Sequence, residues 1–414
     1  MNKRNRVVIT GMGIVAPNGI GIEPFWESLL AGRSGIGPIT LFDATDFKSR
    51  IAGEVKNFNP LDYIEPELKP KRMARHTQFA YAAAMMALKD AGMDLSNLAL
   101  PSPTPVIIGV STSAMDVLER GFRDLHERGP GGVSPGVVAN CQPQAPANVI
   151  ADRIGSAANA TTISSACPSG LDAIADATNQ IALGEAEVAI AGGADSHMTG
   201  LALASFIAGG LCGTSNGEPE RASRPFDSSR EFGVLSEGAC VLVLENLELV
   251  EARGGRAYLE ITGHAKRRDF DVRTPGCGLV ESMRMALANA ECSKEDVDYI
   301  CAYGPGDRAL DAAEVRFIKE AFGERAYSIP VTSIKGVTGN PLAAGGPFQL
   351  VACALSFRDQ TIPPTANYES GDFGCDLDFV PFRARKVRIN RALINVRGIG
   401  GSASSMVVSR VFAE

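Results

Sequence analysis

The sequence lacks the cysteine and histidine spacings that hold metals or disulfide frameworks. Its nine cysteines include no Cys-x-x-Cys pair and no Cys/His cluster, so neither a zinc site nor a disulfide framework is predicted. Histidine is scarce, with four among 414 residues. A histidine base must therefore be one of these few side chains, at positions 76, 126, 197 and 264.

Excess positive charge and long apolar runs are also missing. The net charge of -7, without a basic stripe interleaved with aromatics, argues against nucleic acid as a partner. No apolar stretch is long enough to span a bilayer. A basic N-terminus precedes the apolar residues 7–9, but Thr10 and Gly11 interrupt that run and no small-residue cleavage site follows. We therefore expect a cytoplasmic protein.

The composition and an internal repeat predict a large α/β body with two similar halves. A chain of 43.5 kDa with 45% hydrophobic residues can bury roughly three quarters of its unfolded surface. Residues 6–13 are echoed by residues 257–264, and each segment opens a half in which strand and helix patterns alternate. Residues 245–255 predict a helix that ends the first half at a glycine pair. The expected halves are 1–255, which carries the candidate nucleophile, and 256–414.

Cys167 is the candidate nucleophile. Residues 161–165 predict a buried strand, and Pro168 suits the start of a helix, which Leu171, Ile174 and Ile181 continue at helical spacing. A cysteine at this junction lies against a helix N-terminus, where free N–H groups and the helix dipole favour a thiolate. Taken alone, the pattern leaves open a buried structural cysteine, which is what most free cysteines are.

Six motifs, in order along nearly the whole chain, resemble those of one enzyme family. They are residues 6–17, 161–170, 191–195, 222–227, 332–339 and 395–401. On these motifs the chain resembles the elongating, type II β-ketoacyl-acyl carrier protein synthases of the thiolase superfamily. The resemblance implies a thiolase-like five-layer αβαβα fold with the active site where the two halves meet.

The resemblance also implies a catalytic set in which two members have changed. In the family the cysteine is acylated, and two histidines then bind the malonyl thioester and promote its decarboxylation. Tyr303 and Asn340 occupy the positions of these histidines, whereas Lys335 and Glu314, which support the site electrostatically, are retained. Asparagine is tolerable because initiating synthases use a Cys-His-Asn set, but a phenol with a pKa near 10 is a poor proton acceptor. We therefore expect condensation to be slow or absent.

Further site residues follow from the same resemblance. The backbone N–H groups of Cys167 and Ile399 are expected to form an oxyanion hole, in a gating loop that keeps Gly398 and Gly400. Ile399 replaces the usual phenylalanine gate, and Arg397 replaces a second aromatic. The acyl pocket is expected to include Ile108 and Phe232.

The expected partner is an acyl carrier protein, which is acidic and carries the substrate on phosphopantetheine, so no other cofactor and no metal are implied. Docking is assigned to a basic cluster before a predicted helix, although an ordinary solvated charge run is the alternative. The cluster consists of Lys69, Lys71, Arg72 and Arg75. The resemblance also implies a dimer, either with an identical chain or with a related ketosynthase. His76, beside the basic cluster, is expected on the surface, and His197 and His264 are expected to be structural.

Three functions remain open. The first is a β-ketoacyl-ACP synthase-like acyltransferase of fatty-acid or polyketide-type biosynthesis, which loads Cys167 and has impaired or altered condensation. The second is a non-catalytic partner of the chain-length-factor type, although such partners usually lose the cysteine. The third is a binding module in which Cys167 is a relic.

Overall fold

The computed structural model describes residues 4–95, 100, 103–270, 276–372 and 374–411. The strands of this part of the chain are β1 (Val7–Ala16), β2 (Gly19–Ile20), β3 (Gly37–Pro38), β4 (Ile51–Ala52), β5 (Val106–Gly109), β6 (Ala160–Ile163), β7 (Val188–Asp195), β8 (Gly238–Asn246), β9 (Leu259–Arg268), β10 (Tyr299–Cys301), β11 (Val331–Thr332), β12 (Thr361–Ile362), β13 (Arg385–Lys386), β14 (Arg391–Arg397) and β15 (Ser402–Ser409).

The helices include long amphipathic or buried elements and a few single turns. They are α1 (Ile22–Leu30), α2 (Arg75–Asp90), α3 (Met115–Arg128), α4 (Gly136–Asn140), α5 (Ala145–Ile154), α6 (Ser169–Ala182), α7 (Gly200–Ala208), α8 (Pro219–Ala222), α9 (Leu247–Ala252), α10 (Gly278–Asn289), α11 (Arg308–Phe322), α12 (Lys335–Thr338) and α13 (Gly345–Asp359). None of the helices in the described residues is long and apolar enough to cross a membrane.

One mixed sheet is built from two halves with the same topology. Its strand order is β11-β10-β14-β15-β9-β1-β8-β7-β5-β6. Counted along the chain within each half, the strands run 3-2-4-5-1 from the outer edge to the centre in both. The halves meet where β1 pairs antiparallel with β9, Val8 opposite Glu260 and Ile9 opposite Leu259. The expected two similar halves are therefore confirmed, and the division at residue 255, between α9 and β9, stays a prediction.

The helices complete five layers. Helices α2 and α5 pack on the outer face of the first half of the sheet, and α10 and α11 pack on the outer face of the second. Helices α6 and α13 lie between the two halves, in a core to which both contribute. Helix α13 is buried along nearly its whole length, which suits its apolar sequence. This arrangement confirms the predicted αβαβα fold.

Close backbone approach at the centre depends on a small residue. A Cβ atom built on Gly170, in the first turn of α6, would lie 2.2 Å from the carbonyl oxygen of Ala343. Any side chain there would separate α6 from the segment that enters α13. Gly170 therefore lets the two central helices meet beside Cys167.

The local predictions around Cys167 are partly confirmed. Helix α6 begins at Ser169 with Pro168 as its N-cap, as expected. The preceding strand exists as β6 but is half-exposed, so the prediction that it is buried is wrong. Strand β6 ends the sheet and has a neighbour on one side only. The helix predicted over residues 245–255 spans only α9, because residues 245 and 246 complete the buried strand β8.

Two histidines are buried without polar partners. His76 is fully buried on α2, so the prediction that it lies on the surface is wrong. His197 is fully buried as well, and neither ring nitrogen of either residue has a hydrogen-bond partner among the described residues. Burial disfavours the charged imidazolium, which lowers the pKa of His76 to about 4 and that of His197 to about 3.

These pKa values predict a loss of stability in mild acid. An unfolded chain binds protons at its histidines near pH 6.5, whereas the native state does not until well below that, so stability falls as the pH falls through this window. Between pH 7.5 and 5, His76 alone is expected to cost about 2 kcal/mol. Urea unfolding at both pH values should show a smaller difference for His76→Phe than for the wild type. Exposed His126→Gln is the control, and an equal difference in all three proteins would contradict the assignment.

Candidate active site

A strained turn presents Cys167 at the start of α6. Ala166, the residue before it, has a φ of 64°, a left-handed conformation that is costly for a residue with a Cβ atom. The Ser169 hydroxyl holds the turn, donating to the Ala166 carbonyl at 2.5 Å and accepting from the Ser165 N–H at 2.9 Å. The turn therefore places the sulfur at the end of β6 and against the N-terminus of α6.

Cys167 lines a cavity of about 220 Å³ between the two halves of the chain. Tyr303 and Asn340 share this wall with the sulfur. The remaining wall is largely apolar, with a glycine-rich loop and two charged side chains. It is formed by Phe206, Leu211, Gly233, Leu235, Pro305, Asp307, Leu310, Leu342, Arg397, Gly398, Ile399, Gly400 and Gly401.

Tyr303 contacts the sulfur directly. Its hydroxyl donates to Cys167 Sγ at 3.5 Å. The backbone N–H groups of Tyr303 and Gly304 donate to the two carboxylate oxygens of Glu314 at 2.9 and 2.8 Å. Lys335 Nζ donates to the Tyr303 carbonyl at 2.6 Å and lies 4.5 Å from the centre of its ring. Glu314 and Lys335 thus fix the ring position through the Tyr303 backbone.

Burial keeps the sulfur and the phenol neutral. It raises the pKa of the Cys167 thiol, against the smaller lowering effects of the Tyr303 hydrogen bond and the Lys335 charge. Burial also raises the pKa of Tyr303 well above its ordinary value, and the neighbouring Cys167 raises it further. The helix N-terminus was expected to favour a thiolate, but the cost of removing a charged sulfur from water opposes that effect and raises the pKa of the thiol.

The supporting charges are shifted by the same cause. Burial raises the pKa of Glu314, although the N–H groups of Gly304 and Tyr303 oppose it. Burial lowers the pKa of Lys335, whereas the nearby groups Cys301 and Glu314 raise it. Both residues lie below the cavity wall, where their opposite charges compensate each other in a region without bulk water.

Asn340 is held by its backbone and faces Tyr303. Its N–H donates to the Val234 carbonyl at 2.8 Å, and its carbonyl accepts from Ser236 N–H at 3.1 Å. Its side-chain amide lowers the pKa of the Tyr303 phenol and so partly offsets the rise caused by burial. Asn340 Oδ1 is buried and has no partner among the described residues. The structure therefore brings Cys167, Tyr303 and Asn340 to one wall.

The glycine-rich loop carries free backbone donors. Gly398 N–H donates to the Ser402 carbonyl at 2.8 Å and Gly401 N–H donates back to Gly398 at 3.2 Å, which closes a tight turn around Ile399. Within the described ranges, the N–H groups of Cys167 and Ile399 donate to no other residue. Ile399 is 59% exposed at the cavity. The assignment of these two donors to an oxyanion hole stays a prediction.

The two expected acyl-pocket residues lie elsewhere. Ile108 is packed in the outer core against α2, because alternate side chains of β5 face opposite sides of the sheet and Ile107 takes the inner side. Phe232 is 40% exposed and only its neighbour Gly233 lines the cavity. Neither residue lines the cavity around Cys167, and their place in an acyl pocket stays a prediction.

Three members of the basic cluster are exposed, whereas the fourth is held in an ion pair. Lys69, Lys71 and Arg72 are exposed. Arg75 is not free to dock a carrier, because its guanidinium donates twice to the buried carboxylate of Glu237, at 2.8 and 2.7 Å. The docking role of Arg75 is therefore corrected to a structural ion pair.

The sequence did not reveal the apolar part of the cavity wall. Leu310 and Leu342 come from different elements of the second half, and Phe206 comes from α7 in the first. The resemblance put Arg397 in the gating loop as a replaced aromatic residue, and the structure adds that its side chain lines the cavity. No cluster of side chains suited to a metal ion occurs within the described residues.

Comparison with known proteins assigns the chain to a family. The model of the beta-ketoacyl synthase N-terminal domain matches residues 4–249, and that of the beta-ketoacyl synthase C-terminal domain matches residues 258–369. The chain is 38% identical to 3-oxoacyl-[acyl-carrier-protein] synthase 2 of Coxiella burnetii, over 100% of both chains.

Two solved structures share the fold. The ishigamide ketosynthase/chain length factor matches with a TM-score of 0.91 at 31% identity, over 99% of this chain and 100% of that one. A type II PKS acyl-carrier protein in complex with its ketosynthase bound to the hexaketide matches with a TM-score of 0.88 at 30% identity, over the same shares. The chain therefore belongs to the beta-ketoacyl synthase family of fatty-acid and polyketide synthesis.

Proposed function

We propose that this protein takes an acyl group from the phosphopantetheine thioester of an acyl carrier protein onto Cys167 and performs decarboxylative condensation slowly or not at all. The observation that carries the proposal is the 3.5 Å contact between the Tyr303 hydroxyl and the Cys167 sulfur, inside a largely apolar cavity. The nucleophile is retained and supported, but its partner is a phenol rather than an imidazole.

The transfer step uses groups that this chain supplies. Cys167 Sγ attacks the thioester carbonyl carbon, a new C–S bond forms, the bond to the pantetheine sulfur breaks, and the thiol proton leaves on the pantetheine thiol. The Tyr303 hydroxyl stabilises negative charge on Sγ during the attack. The N–H groups of Cys167 and Ile399 would receive the carbonyl oxyanion, and one such donor is typically worth about 3 kcal/mol.

Condensation places a different demand on the site. The family resemblance puts histidines at positions 303 and 340, where this chain has tyrosine and asparagine. Decarboxylation of a malonyl thioester develops negative charge that a protonatable imidazole stabilises. The buried phenol, whose pKa is raised well above its ordinary value, and the amide remain neutral. Losing the base is expected to cost on the order of a hundred- to ten-thousandfold in rate.

A second candidate is a non-catalytic partner of the chain-length-factor type. The raised pKa of Cys167 favours it, because a resting thiol is a weak nucleophile. A structurally similar protein is named a ketosynthase/chain length factor. Against this candidate, Cys167 lines the cavity and keeps Tyr303, Lys335 and Glu314 around it.

The proposal includes the partners and the location. An acyl carrier protein would dock on Lys69, Lys71 and Arg72, which are exposed. Its phosphopantetheine carries the substrate, so no further cofactor is required. A related solved structure is titled as a carrier protein in complex with its ketosynthase. A cytoplasmic location remains a prediction from the sequence.

Acylation should be confined to Cys167. With an acyl-carrier donor, peptide mapping is expected to find the acyl group on Cys167 and on none of the other cysteines. Because burial raises the pKa of this thiol above its ordinary value of 9.0, the labelling rate should rise about tenfold per pH unit from pH 7 to 9. Cys277→Ala, at an exposed cysteine, is the control and should label normally. Labelling that survives in Cys167→Ala would contradict the proposal.

Restoring imidazoles should restore some decarboxylation. Tyr303→His with Asn340→His is expected to release carbon dioxide from malonyl-carrier faster than the wild type, since Lys335, Glu314 and the glycine-rich loop remain in place. The gain should be partial, because effects within one site are rarely additive. Tyr303→Phe with Asn340→His is the matched control and should show no gain. A wild-type turnover equal to that of an ordinary Cys-His-His synthase would refute the assigned deficiency.

The protein should be at least a dimer at micromolar concentration. Strand β6 leaves one edge unpaired in the described part of the sheet and is half-exposed, which suits pairing across a subunit boundary. Either an identical chain or a related ketosynthase fits this edge. If the partner is an identical chain, light scattering of the isolated chain should give a mass near twice 43.5 kDa, and a mass near 43.5 kDa across that range would contradict the homodimer.

A further inference from the structure

A buried cation shares the cavity with Cys167. Arg397, the last residue of β14, is 9% exposed and lines the same wall as the sulfur. Apart from Asp307, the other side chains of that wall are neutral. A guanidinium at this position has little water around it, so its hydrogen bonds to a bound molecule are stronger than at a surface.

Asp269 accepts hydrogen bonds from only some of the N–H donors of the Arg397 guanidinium. Its Oδ2 accepts from Arg397 Nε at 3.2 Å and also from one terminal nitrogen, Nη2. Its Oδ1 accepts from the N–H of Gly278 at 2.9 Å, at the start of α10. A guanidinium has five N–H donors, and within the described ranges no residue accepts from Arg397 Nη1. The pair is therefore fixed, with donors left over for the cavity.

The charge balance decides which acceptor suits these donors. Asp269 compensates the charge of Arg397, and Asp307 adds a negative carboxylate to the wall, with its Oδ1 accepting from the N–H groups of Ala309 and Leu310. The cavity thus has no surplus of positive charge to attract an anion. A neutral carbonyl oxygen can accept from Arg397 without adding charge, whereas a saturated chain leaves the donors unpaired.

We propose that Arg397 selects acyl groups that carry a neutral oxo oxygen on the chain, over saturated and over carboxylate-bearing chains of similar size. The inference rests on the proposed transfer to Cys167 and names the substrate class of that reaction. Arg397 is a specificity residue in this assignment: it donates to the oxo oxygen, while Cys167 forms the thioester.

Three pantetheine thioesters of nearly equal size test the assignment, namely butyryl, acetoacetyl and malonyl. Intact-mass kinetics of the full chain measure how fast each one loads Cys167, after division by its rate with a free thiol. The wild type should load acetoacetyl roughly ten- to a hundredfold faster than butyryl, the range expected for a hydrogen bond to a charged group. Malonyl should load no faster than butyryl.

Variants distinguish a role of Arg397 in selecting the acyl group from a role in positioning the 398–401 loop. The double variant Arg397→Met with Asp269→Asn removes both charges together, and it should lose the preference for acetoacetyl, so that the ratio of acetoacetyl to butyryl loading falls to about one. Asp269→Asn alone keeps the guanidinium without its counter-charge, and it should raise malonyl loading and keep the acetoacetyl preference. If the double variant fails to fold, Arg397→Lys retains a cation opposite Asp269 without the planar fork, and should lose most of the preference.

The failures are distinguishable. Equal slowing of all three thioesters in the double variant would make Arg397 a support of the 398–401 loop and overturn the inference alone. Equal loading of acetoacetyl and butyryl by the wild type would also overturn it alone. No loading of Cys167 by any thioester would overturn the proposed function and the inference with it.

Discussion

The site depends on two buried side chains of opposite charge type, Glu314 and Lys335, which both hydrogen-bond to the backbone at Tyr303. Glu314 accepts from the N–H groups of residues 303 and 304, and Lys335 donates to the carbonyl of Tyr303. This clamp sets the phenol against Cys167 and joins α11, α12 and the end of β10. Removing one member would leave an uncompensated charge in the core, which typically costs about 3–5 kcal/mol. The scaffold is therefore maintained whatever reaction the tyrosine permits.

The same burial explains the chemistry. Burial of Cys167 and Tyr303 strengthens the hydrogen bond from the Tyr303 hydroxyl to the sulfur. It also raises the pKa of both Cys167 and Tyr303, so neither is ionised at rest. Thioester exchange tolerates this, because the proton lost by one thiol is gained by the other. Decarboxylation has no such compensation, since negative charge develops on the malonyl thioester and must be stabilised by a group that can become positively charged.

Much of the fold could be predicted from the sequence, because hydrophobic periodicity and an internal repeat can be recognised without knowledge of tertiary contacts. The start of α6 and the duplicated halves were both predicted from the sequence and are present in the structure. The direction of individual side chains was harder to predict. Ile107 and Ile108 are neighbours on one strand, so their side chains face opposite sides of the sheet, and only Ile107 packs in the central core. His76 and Arg75 were expected to be exposed because they lie in or beside a basic run. In the structure the His76 side chain is buried in the core, and Arg75 pairs with Glu237, which is 162 residues away in the sequence. The resemblance put Arg397 in the gating loop, but only the structure shows that it lines the cavity with Cys167.

We propose that Cys167 accepts an acyl group that the site then condenses slowly or not at all. A chase measures both parts in one reaction. The protein is first loaded with a saturated acyl group, excess donor is removed, and malonyl-carrier protein is added while the intact mass is followed. The acyl adduct on Cys167 should persist, and no β-ketoacyl-carrier should accumulate. Rapid loss of the adduct together with stoichiometric β-ketoacyl-carrier and carbon dioxide would contradict this proposal.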